Sequence, residues 1–127
     1  MADILLAEQL PDLQEVTARI LRRAGHDVRV TATGHEALEQ TRNQPPDLLV
    51  MNPDLPGLGG LDVCRRLREN PGTTTVPILI LSVFQYPAEQ AAAREAGADD
   101  YLGKPFSPAE LLAHTESLLT HTGNASR

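Results

Sequence analysis

Short apolar runs alternate with stretches of helical periodicity along this chain, and that alternation limits it to one class of fold. The runs are Ile4-Leu5-Leu6-Ala7, Val28-Arg29-Val30, Leu48-Leu49-Val50-Met51, Ile78 to Leu81 and the short Tyr101-Leu102. The third and fourth are apolar at every position, which fits central parallel strands covered by helices on both faces. Val28-Arg29-Val30 alternates, as an edge strand does. Between the runs the helices are punctuated. Pro11 opens the first at a position where a missing N–H costs nothing, Leu13, Val16, Ile20, Leu21 and Ala24 recur at helical spacing, and Gly25 closes it. Thr33-Gly34-His35-Glu36 is a capping box ahead of Ala37 and Leu38. Leu61, Cys64 and Leu67 mark a third helix; Ala91, Ala92 and Ala96 mark a fourth with a thin apolar stripe, ended by Gly97. Ser107-Pro108-Ala109-Glu110 caps the last, whose face carries Leu111, Leu112, Thr115, Leu118 and Leu119. Strict alternation of this kind predicts an α/β, doubly wound parallel sheet with right-handed crossovers and helices on both faces.

The chain has 127 residues, the size of one domain. It can bury roughly two-thirds of the surface its unfolded chain exposes, enough for a core without staples. We place the domain at 1–121 and read 122–127 as a flexible tail or the start of a linker. The single cysteine, Cys64, excludes an internal disulfide and sits on an apolar helix face, where packing outweighs reactivity. No stretch is long and apolar enough for a membrane span, and the N-terminus lacks a signal core, so the expected location is cytoplasmic with no membrane partner. The net charge of −6 argues against nucleic-acid binding by this segment. His26, His35, His114 and His121 have no metal-ligand spacing and read as solvated surface histidines.

In a doubly wound sheet, ligands bind at the carboxyl ends of the strands, near the point where strand order reverses. The first run ends in Glu8-Gln9, the third in Asn52, the fourth in Ser82, and the fifth leads to Lys104-Pro105. Other signals fail on their own terms. Gly57-Leu58-Gly59-Gly60-Leu61-Asp62 hints at a dinucleotide loop but has Asp62 where the fingerprint needs Gly or Ala. Ser82 has no histidine in a hydrolase pattern, so no enzyme is expected.

Taken together, Ile4-Leu5-Leu6 before Glu8-Gln9, Pro56-Gly57 after the third run, Gly60-Leu61, Ile78 to Ser82, Glu95 to Leu102 and Lys104-Pro105-Phe106 resemble the receiver domain of two-component response regulators. The resemblance covers residues 3 to about 121. It implies a flavodoxin-like (βα)5 fold with strand order 2-1-3-4-5. It further implies that Glu8 and Gln9 stand where two acids help hold Mg²⁺, and that Asn52 stands where an aspartate takes a phosphoryl group from a histidine kinase. Ser82 and Lys104 would grip the phosphoryl oxygens, Tyr101 would be the aromatic that turns with the switch, and Lys104-Pro105 is a candidate cis bond.

The departures from that pattern change the expected chemistry. The phosphoryl acceptor must be a carboxylate oxygen, and the Asn52 amide cannot form a stable acyl phosphate. Gln9 and Asn52 replace expected anions and leave Glu8 as the one acid. Two lost charges facing a dication, each worth roughly 4 kcal/mol at about 4 Å and an effective dielectric near 20, outweigh the surviving neutral oxygens. The expectation is therefore no cofactor, with Mg²⁺ weak or absent and Gln9, Asn52 and Asp54 vestigial. Glu8 is the natural counter-ion of Lys104. Pro53 lacks the N–H that deamidation of Asn52 would use.

The reading is a pseudo-receiver acting through phosphorylation-independent protein contacts. Its surface would be helix four, strand five and helix five, around Ala88 to Ala96 and Ser107 to Leu119, engaging a protein partner or a second copy. A histidine kinase is a candidate partner. Two alternatives stay open: a phosphoryl-accepting receiver, through Asp54 or because Asn52 is an engineered change from aspartate, and a small-ligand sensor using the neutral pocket around Gln9, Asn52 and Ser82.

Overall fold

The computed structural model describes residues 2–84 and 86–125, with side chains through Thr120. Strands and helices alternate throughout: β1 (Asp3–Ala7), α1 (Pro11–Arg23), β2 (Asp27–Thr31), α2 (Gly34–Asn43), β3 (Leu48–Met51), α3 (Gly60–Glu69), β4 (Ile78–Ser82), α4 (Pro87–Ala96), β5 (Asp100–Gly103) and α5 (Pro108–Ala125). All strand pairs are parallel and the order is β2-β1-β3-β4-β5. Register places Ala7 beside Thr31 and Met51, so β1, β2 and β3 end level at one edge of the sheet.

The continuous apolar runs split by the two-residue period of a strand. Leu5, Ala7, Leu49, Met51, Ile78 and Ile80 face one way, onto Ala37 and Leu38 of α2, Val63, Cys64 and Leu67 of α3, and Ala93 and Ala96 of α4. Ile4, Leu6, Leu48, Val50, Leu79 and Leu81 face the other, onto Ala18 and Leu21 of α1 and Leu111 of α5. Burying each leucine, isoleucine, valine or methionine of these runs contributes about 1.5–3 kcal/mol, which is why the strand interiors are apolar. Burial pushes the Cys64 thiol up to about 12, so this cysteine is a packing residue.

The helix ends follow local chemistry. Thr33 Oγ1 accepts from the Glu36 N–H at 3.1 Å, while the Glu36 carboxylate accepts from the Ala32 N–H rather than from that of Thr33. The Ser107 and Glu110 side chains each accept from the other's backbone N–H, at 3.0 and 2.8 Å, closing a full capping box. Gly97 ends α4 at φ 111°, a left-handed conformation that a side chain disfavours. Gly60 opens α3 against β3. A Cβ there would lie 2.8 Å from Pro53 Cα and 2.9 Å from the Asn52 carbonyl oxygen, so only glycine lets α3 start this close to the strand tip.

Four sequence expectations need correction. Val16 is 48% exposed, and Thr17 and Ala18 face the sheet instead. On α4 the buried alanines are Ala93 and Ala96, whereas Ala91 is exposed. His26 is buried, not solvated: its Nδ1 accepts from the Ala2 N–H at 3.2 Å and its Nε2 lies 2.9 Å from the Glu116 carboxylate. His114 is half-buried against Asp100, its Nδ1 2.5 Å from Oδ2. His35 is exposed, and the His121 side chain lies outside the described residues. The backbone of α5 continues to Ala125, and Ser126 and Arg127 lie outside the described residues.

Candidate functional site

Three side chains from three strand ends meet at the carboxyl edge of the sheet. Glu8 follows β1, Asn52 follows β3 and Lys104 follows β5; they are 2, 8 and 8% exposed. Their backbones are fixed by the sheet before any side chain acts. Glu8 N–H donates to the Thr31 carbonyl at 3.0 Å, Asn52 N–H to that of Ala7 at 3.0 Å, and Lys104 N–H to that of Ser82 at 2.7 Å.

Glu8 is the hub. Its Oε1 accepts from Lys104 Nζ at 2.8 Å, the ion pair expected from the charges alone. Asn52 Nδ2 donates to the same carboxylate, 3.3 Å from Oε1 and 3.1 Å from Oε2. The Leu10 N–H reaches Oε2 at 3.2 Å. The Asn52 amide is oriented by its other end, because Oδ1 accepts the Asp54 N–H at 2.9 Å. Only an NH₂ can donate to the carboxylate at this position; an aspartate in the same place would set oxygen against oxygen. Burial by itself raises the Glu8 pKa. The hydrogen bonds from Lys104, Asn52 and Leu10 outweigh it and hold the carboxyl below its ordinary value, ionised at neutral pH.

The remaining candidates sit outside this knot. Gln9 and Asp54 are exposed, and no hydrogen bond joins either side chain to Glu8 or Asn52 among the described residues. Ser82 is buried, and its Oγ accepts the Phe84 N–H at 3.0 Å. Tyr101 is half-buried, packs against the α3–α4 side of the core and donates its hydroxyl to the Phe84 carbonyl. The Lys104–Pro105 peptide is cis. Val83, next to Ser82, is 61% exposed. The cluster thus offers one carboxylate, one ammonium and one amide. Among the described residues no group of three or more His, Cys, Asp or Glu side chains converges on a point that could hold a metal ion.

Sequence reasoning missed Gln14, whose Nε2 donates to the Glu8 carbonyl at 2.9 Å and anchors the β1–α1 turn. It also missed Phe84, whose peptide links Ser82 to Tyr101. Neither carries a motif; both act through backbone atoms that only the fold brings near.

Comparison with known proteins agrees with this geometry. Residues 4–116 match the response regulator receiver domain family. The chain is 40% identical over 116 residues to the DNA-binding response regulator MtrA of Mycolicibacterium smegmatis, a match covering 91% of this chain and 50% of that protein. It is 40% identical over 119 residues to the response regulator MprA of Mycobacterium ulcerans, covering 94% and 50%. The chain therefore spans about half the length of the curated relatives it matches. Among solved structures, a response regulator from Chloroflexus aurantiacus superposes with a TM-score of 0.90 at 39% identity, covering 94% of this chain and 98% of that one. The receiver domain of a Pseudomonas aeruginosa sensor histidine kinase, crystallised with a magnesium ion coordinated in its active-site cleft, superposes at 0.88 with 32% identity, covering 94% and 98%. The fold, the residues at its strand ends and these likenesses lead to one conclusion: the chain belongs to the response regulator receiver domain family of two-component signalling.

Proposed function

We propose that this receiver signals without accepting a phosphoryl group, through contacts with other proteins. The observation that carries the reading is the Asn52 amide donating to both oxygens of Glu8 while Lys104 pairs with the same carboxylate. Lys104, the cation that the family resemblance assigns to an incoming phosphoryl oxygen, already has an internal counter-ion. The nucleophilic carboxylate is replaced by an amide, whose oxygen is committed to the Asp54 N–H. Such a pocket is satisfied as it stands.

The donor set also fits a magnesium ion poorly. A hard dication takes carboxylates in preference to amides, and the one buried carboxylate here is neutralised by an ammonium. Mg²⁺ binding is therefore weak or absent in this reading, and the chain is not an enzyme. The described residues contain no helix long and apolar enough to cross a membrane, in keeping with a cytoplasmic module. The proposed contact surface is α4, β5 and α5, presented to a protein partner or a second copy. Because the curated relatives extend well beyond the matched region, an output domain on the same polypeptide is compatible with this reading.

Incubation with acetyl phosphate and Mg²⁺, followed by intact-mass measurement, tests it. The expected outcome is an unmodified chain, alongside an Asn52→Asp variant that gains one phosphoryl group. A phosphorylated native chain, at Asp54 or elsewhere, would overturn the reading.

A further inference from the structure

The β4–α4 loop leaves apolar side chains in solvent beside a groove between α3 and α4. Val83, Phe84 and Tyr86 are 61, 44 and 67% exposed. Beside them, between α3 and α4, lies a groove of about 240 Å³ with Leu61, Ala92, Phe84 and Tyr101 in its walls. One wall is preformed, since the Phe84 N–H is held by Ser82 Oγ and the Phe84 carbonyl by the Tyr101 hydroxyl. Two exposed carboxylates, Asp54 from the β3–α3 loop and Glu89 from α4, also line it. The nearby Asp62 is neutralised by Arg65 at 2.8 Å, but among the described residues no ion pair joins Asp54 or Glu89 to a cation.

We propose that this groove is a docking site for a partner polypeptide that inserts one or two apolar side chains and sets a lysine or arginine against Asp54 and Glu89. Size decides between a partner's side chains and a whole metabolite. Small-molecule pockets run from about 300 to 1,000 Å³, and this one is smaller, while the exposed Val83 and Tyr86 extend the apolar contact outside it. Charge decides the partner's polar residues, because the two unpaired carboxylates and a net charge of −6 favour and steer a cationic segment. The groove lies on the α3-facing side of α4: it shares Glu89 and Ala92 with the α4–β5–α5 surface proposed above and extends that surface to Leu61 of α3 and to the β3–α3 and β4–α4 loops. The inference does not depend on Asn52 being inert, and its test contains no phosphodonor.

The test titrates the isotope-labelled chain with synthetic helical peptides that share the same leucines and differ only in their polar residue: lysine, glutamine or glutamate. The leucine–lysine peptide should shift the amides of Leu61, Phe84 and Ala92. The glutamine version should bind about fivefold to tenfold more weakly, the size of two exposed ion pairs, and the glutamate version should not bind. Asp54→Asn combined with Glu89→Gln should erase the preference for lysine, and Ala92→Trp should fill the groove and abolish the shifts. Equal binding of all the peptides, a lysine preference surviving the charge variant, or shifts confined to other faces would overturn the proposal. So would saturation of the same amides by phenethylammonium at the peptide's affinity, which assigns a small ligand, or concentration-dependent shifts without peptide, which assign a second copy.

Discussion

An amide at position 52 does two things that a carboxylate there cannot: it donates to Glu8, and it leaves the Glu8–Lys104 pair undisturbed. Asn52→Asp should therefore destabilise the chain by roughly 1–3 kcal/mol in the absence of divalent cations, the cost of lost donors to a buried carboxylate, and millimolar Mg²⁺ should restore it. Thermal denaturation with and without Mg²⁺ reads both effects. Glu8→Ala removes the carboxylate paired with the buried Lys104 ammonium and should cost about 3–5 kcal/mol in chemical denaturation. The pH dependence follows from the lowered Glu8 pKa. Its stabilising contribution is complete above the unfolded value, about 4.3, and is lost as pH falls through the lower folded value. Denaturation midpoints measured across that acid range should fall for the native chain and flatten in Glu8→Gln. Glu8, Asn52 and Lys104 were legible as site residues because each ends or follows an apolar run. Their pairing was legible only for Glu8 and Lys104, where opposite charges demand it. The inward role of His26 was not, since its partner Glu116 lies 90 residues away and no periodicity announces it.

Elements were read more securely than their faces. Every strand and helix is where alternation placed it, because two-sided burial demands runs of branched side chains and helix ends demand caps. The phase of a helix is a finer quantity. On α4, Ala91, Ala92 and Ala93 are interchangeable in sequence, and the contact of Ala93 and Ala96 with the sheet selects among them. On α1, Thr17 and Ala18 turn inward and displace Val16. One element-level tie had no sequence signal. Arg68, near the end of α3, donates Nε to the Gly97 carbonyl at 2.9 Å, Nη1 to that of Val76 at 2.7 Å, and Nη2 to the Asp99 carboxylate at 2.9 Å. Asp99 in turn accepts the Ile78 N–H at 2.8 Å. This fork holds the end of α3, the start of β4 and the α4–β5 turn together. Arg68→Ala should cost about 1–3 kcal/mol in denaturant, and Arg68→Lys should recover little, since an ammonium cannot span the same acceptors.

At the scale of the whole molecule, the sheet brings the site together from segments 96 residues apart in sequence, Glu8 and Lys104. The receiver topology is kept in full, as the likeness to solved structures shows, and at the carboxyl edge of its sheet Glu8 is paired with Lys104 and hydrogen-bonded by Asn52. Under the function proposed above, a pocket whose buried charges are already paired does not change shape when metal and a phosphoryl mimic are supplied. The most direct measurement is a heteronuclear NMR spectrum of the native chain before and after addition of Mg²⁺ and beryllofluoride. The two spectra should superimpose, including the amides of Ser82, Tyr101 and Lys104. Saturable shifts at those amides would show that the pocket binds the metal and the mimic, and would contradict the proposed function.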